Sequence, residues 1–274
     1  MLGMLLAAEE PAPLLGIFWA DATLSAFIAT VIFAIMVWYM IARARAGQKI
    51  PEIRKLPGLD AFDEAIGRAT EMGRPVHYSP GISGAGSTQT IASFAILGHV
   101  AKLCAKYDTR LIQTNADITT YGVAEEVVRQ AYLEAGRPDA FNAEDVRFLS
   151  DWQFGYASGV LGIFQREKPA ANICIGAFWA EALLFMEAGV NQGMIQVAGT
   201  NNNAQLPFFV AAADYALIAE EIYAASAYLS KEPVMIGTVV AEDWARIILF
   251  ALIIVGTVLS FFQEKNWLGG ILKK

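Results

Sequence analysis

The sequence predicts an α/β protein: a Rossmann-like domain with a mostly parallel sheet, carried between two terminal transmembrane helices. Two observations predict it. Apolar residues are concentrated in charge-free runs at both ends of the chain, and the stretch between them alternates short extended patterns with longer helical ones. Of the 274 residues, 55% are apolar and 17% charged, with a mean hydropathy of +0.42. A globular domain is about 45–50% apolar and about 25% charged, so the excess must sit where water does not reach. The net charge of −7 leaves no basic surplus to neutralise phosphates, which argues against a nucleic-acid partner. Two cysteines cannot build a disulfide framework.

Taken in order, residues 1–21 read as a short extracytoplasmic N-terminus. Residues 22–42 carry no charge, and a helix of that length covers about 30 Å, one hydrocarbon core. Glu9, Glu10 and Asp21 precede it without any Lys or Arg, so it is expected to be retained rather than cleaved as a signal. The basic linker 43–58 sets Arg43, Arg45, Lys49, Arg54 and Lys55 against Glu52. Positive charge stays inside, which puts the N-terminus outside and the domain at 59–243 in the cytoplasm. A second span is expected at 244–262, where the uncharged run 247–262 lies between Trp244 and Arg246 on one side and Trp267 on the other. The tail 263–274 carries Lys265, Lys273 and Lys274, which weighs mildly against an outside position.

Inside the domain, Leu59, Phe62, Ile66, Ala69 and Met72 form one helical stripe. Extended runs follow at 75–79, 110–114, 146–150, 172–176, 194–198 and 208–212, with helical patterns at 88–107, 121–135, 152–166, 179–188 and 215–229. That alternation implies right-handed crossovers and helices on both faces of the sheet.

Ligands bind outside the carboxyl ends of the strands in such folds, so the segments after each run are the ones to search. Gly81, Ser83, Gly84, Gly86, Ser87 and Thr88 join the first strand to a helix, and the free amides of that helix start form an anion site. Asn115 and Asp117 after the second strand, and Asn201, Asn202 and Asn203 after the fifth, would complete a neutral, hydrogen-bonding pocket. The opposing reading is structural: Ala92, Ser93, Ala95, Gly98 and Ala101 let the helix pack closely, and Asp117 is placed to cap a helix. Asp151, Glu181 and Asp214 are further carboxylates near the expected cleft. No GKS or GKT follows the glycines, their order is GxxGxG, and Ser83 does not stand in GxSxG, which excludes a P-loop and a hydrolase elbow. His77 and His99 lack ligand spacing, so no metal site is expected, and Cys104 and Cys174 read as buried thiols. Nothing specifies a cofactor or a reaction.

The strings GISGAGSTQTIASFAILGHVAKL (81–103), QTNAD (113–117) and AGTNNNAQLPFF (198–209), set between terminal membrane helices, resemble an uncharacterised prokaryotic family of membrane-anchored domains of unknown function. The resemblance implies the architecture and no site residues. Two functional expectations stand. One is a structural or scaffold subunit, embedded in the lipid bilayer as part of a homo-oligomer or larger membrane complex. The other is a binding domain or enzyme for a nucleotide or sugar phosphate at the glycine-rich loop.

Overall fold

The computed structural model describes residues 21–46 and 57–271. Glu9, Glu10, Lys49, Arg54, Lys55, Lys273 and Lys274, part of the topology argument, lie outside these residues. The chain divides into two units, one of Met1–Pro51 with Gly237–Lys274 and one of Glu52–Ile236.

The first unit holds two long helices. In α1 (Asp21–Arg45), residues Phe27–Arg45 are long and apolar enough to cross a membrane. Phe27, Ile32, Ile35 and Trp38 are exposed there. The last helix, α9 (Pro233–Ile271), starts ahead of the expected second span and leaves Ile247 through Val255 largely exposed. The two helices approach at backbone distance, for a Cβ built on Gly237 would lie 2.8 Å from Ile41 Cα. Only glycine permits that approach.

In the second unit, α2 (Pro57–Met72) buries Leu59, Phe62, Ile66 and Ala69, while Met72 at its end is 46% exposed. Six strands follow, β1 (Val76–Gly81), β2 (Leu111–Asn115), β3 (Val146–Phe148), β4 (Ala171–Ala177), β5 (Ile195–Thr200) and β6 (Tyr215–Ile218). All pair in parallel, in the order β3-β2-β1-β4-β5-β6. The crossovers are α3 (Thr88–Lys106), α4 (Ile118–Glu134), α5 (Gln153–Glu167), α6 (Glu181–Asn191) and α7 (Leu206–Ala212), and α8 (Glu221–Ser230) follows β6.

One sheet face presents Val76, Tyr78, Ile173, Ile175 and Val197 to a core shared with α2, α3, α4 and α8. The other presents Cys174 and Ala198 to Tyr156, Phe164, Phe185 and Phe209 from α5, α6 and α7. Strands covered on both faces lose the polar alternation of an exposed sheet, which is why β1, β2, β4 and β5 are buried throughout.

The structure corrects two elements. Residues 208–212, expected as a strand, belong to α7, where Pro207 stands in the first turn and Phe209 is buried. The sixth strand comes from Tyr215–Ile218, expected as the start of a helix; it pairs with β5 and buries Leu217. The helix of that pattern begins only at Glu221.

Candidate functional site

Strand order reverses between β1 and β4, and the glycine-rich loop leaves β1 at this point. The two strand ends are pressed together. Gly81 has φ +89° and Gly176 φ +146°; a Cβ at Gly81 would lie 2.0 Å from Ala177 O, and one at Gly176 would lie 2.0 Å from Pro80 O. The pairing slips between Ser79 and Gly81, after which Ile82 N donates to Ala177 O at 2.9 Å. Glycine at both positions therefore lets the chain turn out of the sheet beside its neighbour.

Beyond that turn, Ser87 enters α3 in extended backbone, yet its hydroxyl makes no capping bond. The backbone amides of Thr88, Gln89 and Thr90 have no acceptor among the described residues. They are the free donors of a helix start. Side chains stitch the loop on both sides. Thr120 Oγ1 donates to Ser83 O at 3.2 Å and Ala85 N donates to Thr119 Oγ1 at 3.4 Å. Gln89 Oε1 accepts from Asn201 N at 3.1 Å, and Thr88 and Asn201 both reach the Tyr223 hydroxyl.

The other expected residues divide. Asp117 caps α4, and among the described residues its carboxylate accepts only on Oδ1, from the amides of Thr119 and Thr120, from the Thr119 hydroxyl, and from the Thr120 hydroxyl, whose one proton is shared with Ser83 O. Those donors hold its pKa below the usual aspartate value, with the Thr119 hydroxyl first among them. Asn201 stands beside the loop, and Asn203 is exposed. Asn202 donates to Phe178 O at 3.0 Å and so ties the β5 loop to the β4 loop. Asn115 is fully buried, with its amide committed to Gln113 Oε1 and the Arg147 carbonyl. Asp214 precedes β6 and accepts from Gln196 N, at the opposite edge of the sheet. Glu181 is fully buried and accepts from Trp179 N at 2.9 Å and Gln153 Nε2 at 2.6 Å. The roles of Gln89, Tyr223 and Thr119 had no sequence signal, because each contact joins separate crossovers.

Under the site runs a buried polar row. His77, Asn172 and Gln196 are aligned across β1, β4 and β5. Gln196 Nε2 donates to Met186 O and Ala212 O, so its Oε1 accepts from Asn172 Nδ2. Asn172 Oδ1 then accepts from His77 Nδ1 at 2.8 Å and from the Cys174 thiol at 3.3 Å. His77 Nε2 is left to accept from Thr114 Oγ1 at 3.0 Å, and that hydroxyl is shared with Tyr156, which also meets Ser79. This assigns a neutral imidazole with its proton on Nδ1. Burial lowers the His77 pKa to about 4, and it raises those of Cys174 and Tyr156. The row is satisfied internally and holds the middle strands together. Both cysteines are buried free thiols, and no group of three metal-ligating side chains occurs among the described residues.

No curated protein and no solved structure matches the chain. A family profile does, over nearly the whole length, covering both long helices and the α/β unit between them. By that match over residues 16–270 the chain belongs to the family described as Domain of unknown function (DUF6754).

Proposed function

We propose that the protein is a membrane-anchored binding domain for a small anionic ligand that also carries hydroxyls, a nucleotide or sugar phosphate, seated at the carboxyl edge between β1 and β4. The observation that carries this reading is the unpartnered set of amides on Thr88, Gln89 and Thr90, placed at the point where strand order reverses. The ligand's anionic group would sit on these amides, and Asp117 Oδ2, without a partner among the described residues, would take its hydroxyls. No Lys or Arg lies between Gly81 and Thr90, so affinity rests on backbone donors and is modest.

A thermal-shift screen of nucleotides and sugar phosphates on the full chain in detergent tests it. At least one should stabilise the protein, and Gly84→Val should remove that shift. A Cβ at Gly84 has ordinary contact distance to Asp117, 3.7 Å, so the backbone accepts a side chain there, and the melting temperature of the free variant checks that the fold is kept. No shift with any compound would defeat the proposal.

Exposed aromatics support a second reading, a scaffold role through self-association. Trp152, Phe154 and Trp179 lie on the loops after β3 and β4 and at the start of α5, 50% or more exposed. Trp152 and Phe154 stack edge to face at 5.9 Å. A second copy or a larger membrane complex would cover them, and a sample sedimenting as a monomer at every concentration would exclude this. For the anchoring we propose two passes, α1 and the apolar stretch of α9, with the central unit in the cytoplasm. Arg43 and Arg45 closing α1 support that orientation. Protease added to right-side-out vesicles should then leave residues 59–243 intact.

A further inference from the structure

The exposed aromatics at the carboxyl edge stand on one joined platform. Gln153 at the start of α5 donates to Glu181 at the start of α6 at 2.6 Å, and Asn202, ahead of α7, donates to Phe178 O at 3.0 Å. Phe178 in turn meets Phe209 of α7 edge to face at 5.3 Å. Three helix starts are thereby held side by side over one face of the sheet. Out of them stand Trp152 at 66% exposure, Phe154 at 50%, Trp179 at 54%, Leu183 at 44% and Phe208 at 42%.

The backbone beneath both tryptophans is fixed. Trp179 N donates to Glu181 Oε1 at 2.9 Å and Trp152 N to Ser150 Oγ at 3.1 Å, so little ordering is left to be lost when the rings are covered. A large aromatic side chain carries about 150–250 Å² of surface, so five large side chains near half exposure offer roughly 500 Å². Two such patches face to face would bury about 1,000 Å² before any rim is counted, which is the size at which a specific interface begins. Monomers rarely leave an apolar patch of that size bare.

Charge selects the occupant. Over residues 150–155, 177–183 and 201–210 the charged residues are Asp151 and Glu181, and Glu181 is fully buried. A strongly charged partner would find only Asp151 to answer it. Two copies of this chain, each with a net charge of −7, repel through most of their surface and approach most easily through this near-neutral face. Anchoring by α1 would also hold the copies in one bilayer and raise their effective concentration.

We propose that the chain forms a two-fold symmetric dimer in which the starts of α5, α6 and α7 meet the same face of a second copy, with Trp152, Phe154 and Trp179 at the centre. A two-fold contact is self-complementary, and tryptophan is the side chain most often found to carry the energy of such a centre. This inference rests on the self-association reading and is independent of the anion seat.

The test is sedimentation of the full chain in detergent over a hundredfold range of concentration, joined to disulfide trapping. Cys104 and Cys174 are buried, so a thiol introduced at the surface is the accessible one. The wild type should pass from monomer to dimer across the range. Trp179→Asp and Phe154→Asp should each raise the dissociation constant at least tenfold, the scale of one central aromatic, with the melting temperature of the dilute protein unchanged. Trp179→Cys should cross-link copy to copy under copper phenanthroline, whereas Leu133→Cys, equally exposed on α4 across the sheet, should not. A dimer indifferent to both aspartate substitutions, or cross-linked through Leu133→Cys and not through Trp179→Cys, would overturn the face while leaving self-association in place. A monomer at every concentration would overturn both.

Discussion

At Gly81 the main chain takes a φ of +89°, and an added methyl would meet the Ala177 carbonyl at 2.0 Å. Backbone cannot yield there as a flexible side chain would, because Ala177 is itself fixed by its bond from Ile82. Gly81→Ala is therefore expected to cost about 3 kcal/mol or more, read as a lower urea midpoint, whereas Gly86→Ala, with open space around it, should cost under about 1 kcal/mol. His77 sets a different dependence. An unfolded imidazole titrates near 6.5, and the buried one takes a proton only near 4. As pH falls from 6.5 to 4 the unfolded chain gains a proton that the native state refuses, so stability is full above that window and declines through it, by about 3 kcal/mol at most. Denaturation across this range on the wild type and on His77→Gln should show the decline in the former and a flatter profile in the latter. That His77 lies on the first strand was legible from sequence; its aligned partners Asn172 and Gln196 were not, because register appears only when strands pair.

At the scale of elements, the helices from α2 to α6 and the first five strands were legible to within a few residues, since apolar stripes and short β-rich runs differ in period. The exchange at 206–218 was not. Phe208, Phe209 and Val210 resemble a strand by composition, and Tyr215 to Ile218 resemble the first turn of the helix that follows. The deciding factor is tertiary: β5 offers its edge to Tyr215–Ile218, and Pro207 starts a helix before it. The candidate site divides in the same way. The glycine loop and the Asp117 cap follow from local chemistry, whereas the burial of Asn115 and the Gln89 contact to Asn201 depend on which helix lies over which strand. For the long helices, the 2.8 Å approach at Gly237 gives a direct expectation. Gly237→Leu should separate α1 from α9 and lower the detergent-phase melting temperature by an amount corresponding to about 1–3 kcal/mol, while Gly67→Ala, inside α2 with nothing within 4 Å, should raise it slightly, as alanine for glycine does in a helix.

For the whole molecule, a doubly wound sheet with two dissimilar edges is joined to a pair of long apolar helices. The carboxyl edge carries the free amides and the exposed aromatics. The amino edge carries a charged cavity of about 400 Å³. The α3 amides at the carboxyl edge are the proposed anion seat. Amide hydrogen exchange on the full chain in detergent, with and without saturating pyrophosphate, measures those groups themselves. With an anion seated there, exchange slows over residues 84–90 alone and the slowing is lost in Gly84→Val; unchanged exchange over 84–90, or protection appearing only elsewhere, would rule the seat out.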